Sequence, residues 1–445
     1  MSIWVTYTLR MRVLAISTLA CVFLCSTTAS VAQTETISAA ERALVSYIDA
    51  HNDESIALLE KVVNINSGTQ NLAGVRQVGD IFRAELDALG FQTSWVDGAA
   101  WNRAGHLVGT HSGSGAPILL IGHLDTVFEP DSPFQKFERV NATTARGPGI
   151  IDMKGGDVII IYALKALEAA GLLKSMSITV VMTGDEEAVG RPLAKAREAL
   201  IAAARGARAA IGFEDGDGDP AHAVTARRGS TNWRLDVTGK AAHSSQIFRE
   251  DIGAGAVFEA ARILNTFRER LASQAHLTFN PGVVLGGTAV DVDAAHTRGT
   301  ASGKTNIIAE RATVLGDIRA LTREQFATAQ AAMQQIAKQS LAHTTAELTF
   351  DEGYPPLAPS AGNEQLLVAY NRASRDLGLG TVTAVSPDKA GAADVSFVAG
   401  IVPMIIDAVG LKGRDDHTPG ETADLTTMSV QTKRAAVLLA RLAKQ

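Results

Sequence analysis

Histidines and carboxylates in this chain recur directly after apolar runs, and that placement is what metal-assisted hydrolysis requires. Ile118-Leu119-Leu120-Ile121-Gly122-His123-Leu124-Asp125 opens with four aliphatic residues suited to a buried strand of a parallel sheet. Gly122 lets the chain turn out of the sheet, and the two-residue spacing points His123 and Asp125 the same way. An imidazole with a carboxylate beside it is how a zinc-ligating histidine is oriented. Taken alone, the pair reads equally as a satisfied His–Asp contact at a strand end. Thr183-Gly184-Asp185-Glu186-Glu187 follows the apolar run Ile178–Met182. Three adjacent acids at a strand edge repel one another unless cations neutralise them; a surface turn is the alternative. Glu214 follows Ala210-Ile211-Gly212-Phe213, again at a strand end. Asp152, in Gly147-Pro148-Gly149-Ile150-Ile151-Asp152-Met153-Lys154-Gly155-Gly156, stands just before a helix, where an N-cap is the ordinary reading. His417 lies in Arg414-Asp415-Asp416-His417-Thr418, on a loop before the last helix.

His123, Asp152, Glu186, Glu187 and Glu214 thus gather at C-terminal strand edges or helix starts, the edge of an open α/β sheet where ligands bind. Two histidines and three carboxylates suit a pair of zinc-class ions with Asp152 bridging, and one acid is left over. A metal-bridging water has a lowered pKa, and a nearby free carboxylate can take its proton and pass it to a leaving amine.

The elements that must position these groups follow an α/β pattern. Helical material spans Ser38–Val63 with a break near His51-Asn52, and a second helix spans Gly74–Leu89 and stops at Gly90. Strands at Leu107–Thr110, Ile118–Ile121, Ile178–Met182 and Ala209–Phe213 alternate with helices at Gly156–Ala170 and Leu193–Ala204, which predicts a largely parallel sheet. From about 228 to 347 the pattern becomes strand, helix (Ala254–Ser273), strand, strand (Thr313–Ile318), helix (Arg323–Leu341), and this suggests a small α+β domain of its own. The α/β pattern then resumes with Glu364–Leu377, Val402–Asp407 and a last helix from about Ser429. The expected organisation is therefore a doubly wound α/β catalytic domain at 33–227 and 348–445, interrupted by an inserted α+β lid at 228–347. Asp291–Lys304 reads as a flexible loop with solvated charges.

Composition bounds the function further. Arg10 and Arg12 precede the apolar run Val13–Leu24, and Ser30 and Ala32 fit a signal-peptidase site, so residues 1–32 read as a signal peptide of an exported protein. The run is too short for a membrane anchor. Both cysteines, Cys21 and Cys25, fall in this segment, leaving a mature chain without thiolate ligands, disulfides or a cysteine nucleophile. Any metal is then held by His, Asp and Glu. The full chain carries a net charge of −6. Losing Arg10 and Arg12 makes it more acidic still, a poor match to nucleic acid.

His123–Val127 (HLDTV), GPGIIDMKGG at 147–156, TGDEE at 183–187, FE at 213–214, GKAAHS at 239–244 and DIRA at 317–320 resemble the M20 family of di-zinc metallopeptidases, in the family's order from about residue 40 onward. The glutamate carboxypeptidase (carboxypeptidase G2-like) branch is the most similar. The resemblance implies two Zn2+ ions, with Co2+ or Mn2+ as substitutes. His123 and Glu214 would hold one, Glu187 and His417 the other, and Asp152 both. It makes Glu186 the general base and Asp125 the partner of His123. His243 would lie on the lid and stabilise the oxyanion, while Asn306 and Arg319 hold the substrate's terminal carboxylate. The implied substrate is a small peptide or N-acyl amino acid, and the lid of this family often forms a homodimer. On the residues alone, Arg319 is a bidentate partner for a carboxylate or a partner of Asp317, and His243 is an ordinary polar turn.

Two departures bear on specificity. The family's Gly-Gly-x-Ser/Thr-Asp loop is here Ala390-Gly391-Ala392-Ala393-Asp394, whose methyl groups narrow the pocket, and the 291–304 segment is long. The alternatives are an M20 dipeptidase, which differs in pocket depth, and an inactive relative, which would be expected to lose ligands that this chain keeps. A di-metal phosphoesterase would call for more basic residues than Arg319 and Lys154.

Overall fold

The computed structural model describes residues 37–293 and 298–444; the expected signal peptide lies outside the described residues. A six-stranded sheet runs in the order Gln92–Asp97, Gly105–His111, Ile178–Thr183, Ile118–His123, Ala209–Gly212 and Met404–Ile406. The last four are mutually parallel, and Gly105–His111 runs antiparallel to both of its neighbours. The edge strand Gln92–Asp97 escaped the sequence reading. Ile118–His123 is buried along its whole length, as a central strand covered on both faces must be. Helix Gly155–Ala169 packs with Ala39–Ala50 and Thr426–Leu442 around one core. Ser38 and Glu41 form a reciprocal capping box at the start of the first helix.

The helix expected over Leu193–Ala204 breaks at Arg197 into Leu193–Ala196 and Glu198–Ala204. Arg197 is the reason: its guanidinium is fully buried against Asp185 and Asp394.

A separate antiparallel sheet has the order Thr278–Gly287, Arg311–Ala320, Gly229–Thr238, Thr345–Phe350. Strand Gly229–Thr238 alternates buried with half-buried or exposed positions along its length, the pattern of a sheet with one better-covered face. Helices Gly255–Leu271 and Arg323–Ala337 cover it, enclosing Trp233, Leu235, Ile263, Phe267, Val314 and Met333. The fourth strand crosses residue 347, so the inserted sheet continues to Phe350. Asp291–Lys304 is not a plain loop. Ala289–Val292 and Gly299–Ser302 pair antiparallel, and residues 294–297 between them lie outside the described residues. The fold is an α/β catalytic domain interrupted by an inserted α+β domain.

Candidate metal centre

His123 ends its strand at the sheet's C-terminal edge. The strand passes so close to Asp157 that a Cβ on Gly122 would stand 2.1 Å from the Asp157 carboxylate, so a larger residue there would displace that side chain. His123 Nε2 lies 3.0 Å from Asp152 Oδ1 and 3.5 Å from Glu214 Oε1. His417, 294 residues away along the chain, brings Nε2 to 2.9 Å from Asp152 Oδ2 and 3.2 Å from Glu187 Oε2. The two carboxylate oxygens of Asp152 thus face two histidines, each with a glutamate beside it.

Each donor is placed by a local device. Asp152 sits in an irregular turn following Gly149, whose φ of +69° favours glycine. The buried carboxylate of Glu421 accepts from the backbone N–H groups of Gly149, Ile151 and Asp152 at 2.9, 2.9 and 3.2 Å, fixing that turn. His417 is carried between the short strands Gly413–Arg414 and Thr422–Asp424, which pair with each other. The backbone N–H of Glu214 donates to Asp407 at 3.3 Å.

Asp125 does more than its expected role. The Nδ1 of His123 reaches the main-chain oxygen of Asp125 at 3.0 Å, with the carboxylate farther off at 3.5 Å. That carboxylate instead accepts from the N–H groups of Glu186 and Glu187 at 3.0 and 3.1 Å and from Thr69 Oγ1 at 2.6 Å. One residue therefore orients the histidine through its backbone and the glutamate pair through its side chain.

The electrostatics of the cluster call for cations. Burial and the neighbouring carboxylates of Asp394, Glu187 and Asp152 hold Glu186 well above the usual carboxylate range, against the pull of His123. Burial and Asp152 push Glu187 up to about 7, although His417 opposes this. Burial disfavours charge on His123, yet the carboxylates of Glu214, Asp125 and Asp152 still raise it well above the ordinary imidazole range. Hydrogen bonds to Asp152 and Glu187 raise His417 to about 11. Asp152 itself is held below its ordinary range: burial is outweighed by the two histidines. One oxygen of Glu187, Oε1, is buried without a hydrogen-bond partner. An orphaned carboxylate oxygen beside histidine nitrogens and further carboxylates is a donor set that fits borderline divalent ions such as Zn2+.

Ligand atoms of His123, Asp152 and Glu214 lie within 4.8 Å of one another, and so do those of Asp152, Asp416 and His417. Asp416 was not singled out from the sequence. Nor was Glu421, whose role comes from a contact across 270 residues, and Asp394 stood out only as the end of the 390–394 loop, although it accepts from Thr183 across 211 residues. His243, Asn306 and Arg319 lie on the inserted domain. Among the described residues, no hydrogen bond or ion pair joins them to the cluster. His243 and Asn306 are neighbours, since the Ser244 N–H donates to the Asn306 carbonyl at 2.9 Å and His243 bridges Ile307. Arg319 contacts Asp317 at 3.2 Å. Ala393 and Asp394 line a small cavity together with His123 and Glu214.

These shifts predict a pH dependence for the metal-free protein. Burial raises Glu187 from 4.5 to about 7, Asp215 from 3.8 to about 8 and Glu421 from 4.5 to about 8, with Asp152 adding to each. The folded chain then holds these protons more tightly than the unfolded one, so stability is fully present below the ordinary values and declines as pH rises toward the folded ones. His417, raised from 6.5, has the same sign above that value. Chelated protein is expected to melt at a higher temperature at about pH 5 than at about pH 7, and saturating Zn2+, which binds more tightly at the higher pH, to shrink or reverse that difference. Thermal melts of chelated and loaded protein decide this; chelated protein more stable at the higher pH would contradict it.

The profile described as peptidase family M20/M25/M40 matches residues 119–444. Carboxypeptidase G2 of Pseudomonas sp. (strain RS-16) is 27% identical over 390 residues, covering 86% of this chain and 88% of that protein. Among solved structures, the aminopeptidase PepT of Bacillus cereus ATCC 10987 superposes with a TM-score of 0.70 at 19% identity, covering 88% of this chain and 99% of that one. The Bacillus subtilis YXEP protein, described as a dinuclear metal binding peptidase, gives a TM-score of 0.60 at 15% identity, with 89% and 100% covered. On the extent of the profile match, and with the same fold in these structures, the chain belongs to peptidase family M20/M25/M40.

Proposed function

We propose that this chain is a metallo-carboxypeptidase or amidohydrolase that cleaves the amide bond before a C-terminal, glutamate-like residue of a small peptide or N-acyl amino acid. The observation that carries the proposal is the double-sided Asp152: its two oxygens stand 3.0 and 2.9 Å from histidines 294 residues apart in the chain, each paired with its own glutamate. His123 and Glu214 would hold one Zn2+, His417 and Glu187 the other, and Asp152 both. Bound ions of this kind lower the pKa of a water and polarise a carbonyl.

The remaining work falls to the chain's own residues. Glu186 takes the water's proton and delivers it to the departing amide nitrogen, a task suited to a carboxyl whose proton affinity is raised. Its carboxylate makes no hydrogen bond among the described residues, which leaves it free to exchange a proton. His243 supports the oxyanion, and Asn306 and Arg319 hold the terminal carboxylate, from the inserted domain. Export with removal of residues 1–32 belongs to the same reading, as does a homodimer through the inserted domain. Supporting the latter, Phe248, Val257, Phe258 and Val284 are 67, 47, 51 and 58% exposed there.

The test is hydrolysis of N-acyl amino acids and dipeptides by the zinc-loaded protein, varying the C-terminal residue. N-acyl substrates with a free terminal acid should be cleaved; activity confined to dipeptides with a free amine would favour a dipeptidase.

Arg319→Ala gives a sharper prediction. A buried carboxylate left without its guanidinium costs about 2–5 kcal/mol, whereas a terminal amide never made that pair. The preference for acid over amide should collapse, and Lys at this position should restore it only in part because an ammonium lacks the bidentate fork. Equal losses on both substrates would make Arg319 a partner of Asp317 alone.

A further inference from the structure

The chain crosses between the two domains twice, and the crossings pair. Arg227 bridges Leu357 and Ser230 bridges Tyr354, through backbone N–H···O bonds of 2.8 to 3.0 Å, so the junction is an antiparallel ribbon. Tyr354 turns its ring against Phe397, with centroids 4.8 Å apart. Its hydroxyl meets Arg197 Nη2 at 3.0 Å and the main-chain oxygen of Glu186 at 2.7 Å. A guanidinium only donates, so the hydroxyl accepts from Arg197 and its single proton must go to the Glu186 carbonyl. Arg197 has no room to move, being fixed by Asp185 at 2.6 Å and Asp394 at 2.9 Å.

On its other side, the Glu186 N–H is taken by Asp125. The backbone of Glu186 is therefore gripped at both its N–H and its C=O, while its carboxylate is left alone. The outgoing crossing reaches the same region: Arg227 Nε donates to Asp407 at 2.9 Å, and Asp407 accepts the N–H of Glu214.

We propose that Tyr354 is a positioning residue for Glu186: by fixing the Glu186 carbonyl from the ribbon that joins the domains, its phenol sets where the Glu186 carboxylate stands. This rests on the assignment of Glu186 as general base. The alternative is that the phenol serves only to satisfy the buried Arg197.

Tyr354→Phe removes one hydroxyl and keeps the ring. In the zinc-loaded protein it should lower kcat by up to about 10²-fold, the scale of a small misplacement of a reacting group, with KM and metal content unchanged. The double variant Tyr354→Phe/Glu186→Gln should be no slower than Glu186→Gln alone, because the effect passes through a carboxylate that is gone. An equal factor lost in both backgrounds, or no loss of kcat, overturns the proposal. Hydrogen exchange on the loaded protein gives an arm independent of turnover. Peptides spanning 184–190 should exchange faster in Tyr354→Phe while helix Gly155–Ala169 does not change, and unchanged exchange at 184–190 also overturns the proposal. If the wild-type protein cleaves none of the panel, the functional reading fails, and the exchange result still decides this one.

Discussion

Glu186→Gln is expected to keep the wild-type metal content and to lose about 10²–10⁴-fold in kcat, the usual contribution of general acid–base catalysis. The substitution is nearly isosteric. It leaves untouched the backbone contacts that hold residue 186, the N–H to Asp125 and the C=O to Tyr354. Of the acids Asp152, Glu186, Glu187 and Glu214 it removes the one that neither histidine contacts among the described residues: Asp152, Glu187 and Glu214 each lie within 3.5 Å of a histidine Nε2. Burial and like charges raise the proton affinity of Glu186, so keeping it neutral in the fold costs stability at neutral pH; an amide carries no such cost, and the variant should melt no lower than the wild type in chelated form. Metal analysis beside single-substrate kinetics checks the assignment. Substantial metal loss in the variant would place Glu186 among the ligands instead.

His123, Glu186, Glu187 and Glu214 are legible as candidates because each follows an apolar strand, and strand ends are local features of sequence, whereas Asp152 and His417 stand on turns without that signal. Ile118–Ile121 and Ile178–Met182 announce buried parallel strands through composition alone, and His123 and Glu186-Glu187 come with them. Gln92–Asp97 carries no such run. It is an edge strand with only half-buried and exposed positions, so its pairing with Gly105–His111 decides its state. The same holds for Ala289–Val292 and Gly299–Ser302, which have no fully buried position and are strands because they pair with each other.

What stayed hidden in the site is the layer that holds the donors. Glu421 reads in sequence as one more acid in a Gly-rich loop, yet it organises the Asp152 turn from 269 residues away. Arg197 reads as a helix residue and turns inward to two aspartates. The sequence puts Asp125 two residues from His123, but that spacing does not say which of its oxygens serves the imidazole. The carboxylate has better donors in the Glu186 and Glu187 amides, so the carbonyl takes the histidine.

Asp152→Ala should cost more metal than the loss of any other single donor. If Asp152 serves both positions, its removal strips a charged oxygen from each, and retained zinc after gel filtration should fall toward none. His417→Ala, by contrast, should spare the position built by His123 and Glu214. Turnover should be undetectable in Asp152→Ala, since the same substitution removes the donor proposed for both ions and what keeps the two histidines facing each other across one carboxylate. The proton balance supplies an independent check. Asp152 is the largest cause of the high proton affinity of His417, which stands at about 11. A metal binding there must displace that proton, so affinity in the wild type should fall as pH falls. Without Asp152 the histidine returns toward its ordinary range, and any residual binding should depend less steeply on pH. Zinc titrations at two pH values, with stoichiometry by elemental analysis, measure both effects. If Asp152→Ala and His417→Ala lose the same single equivalent, Asp152 belongs to one position only and the two-ion reading fails.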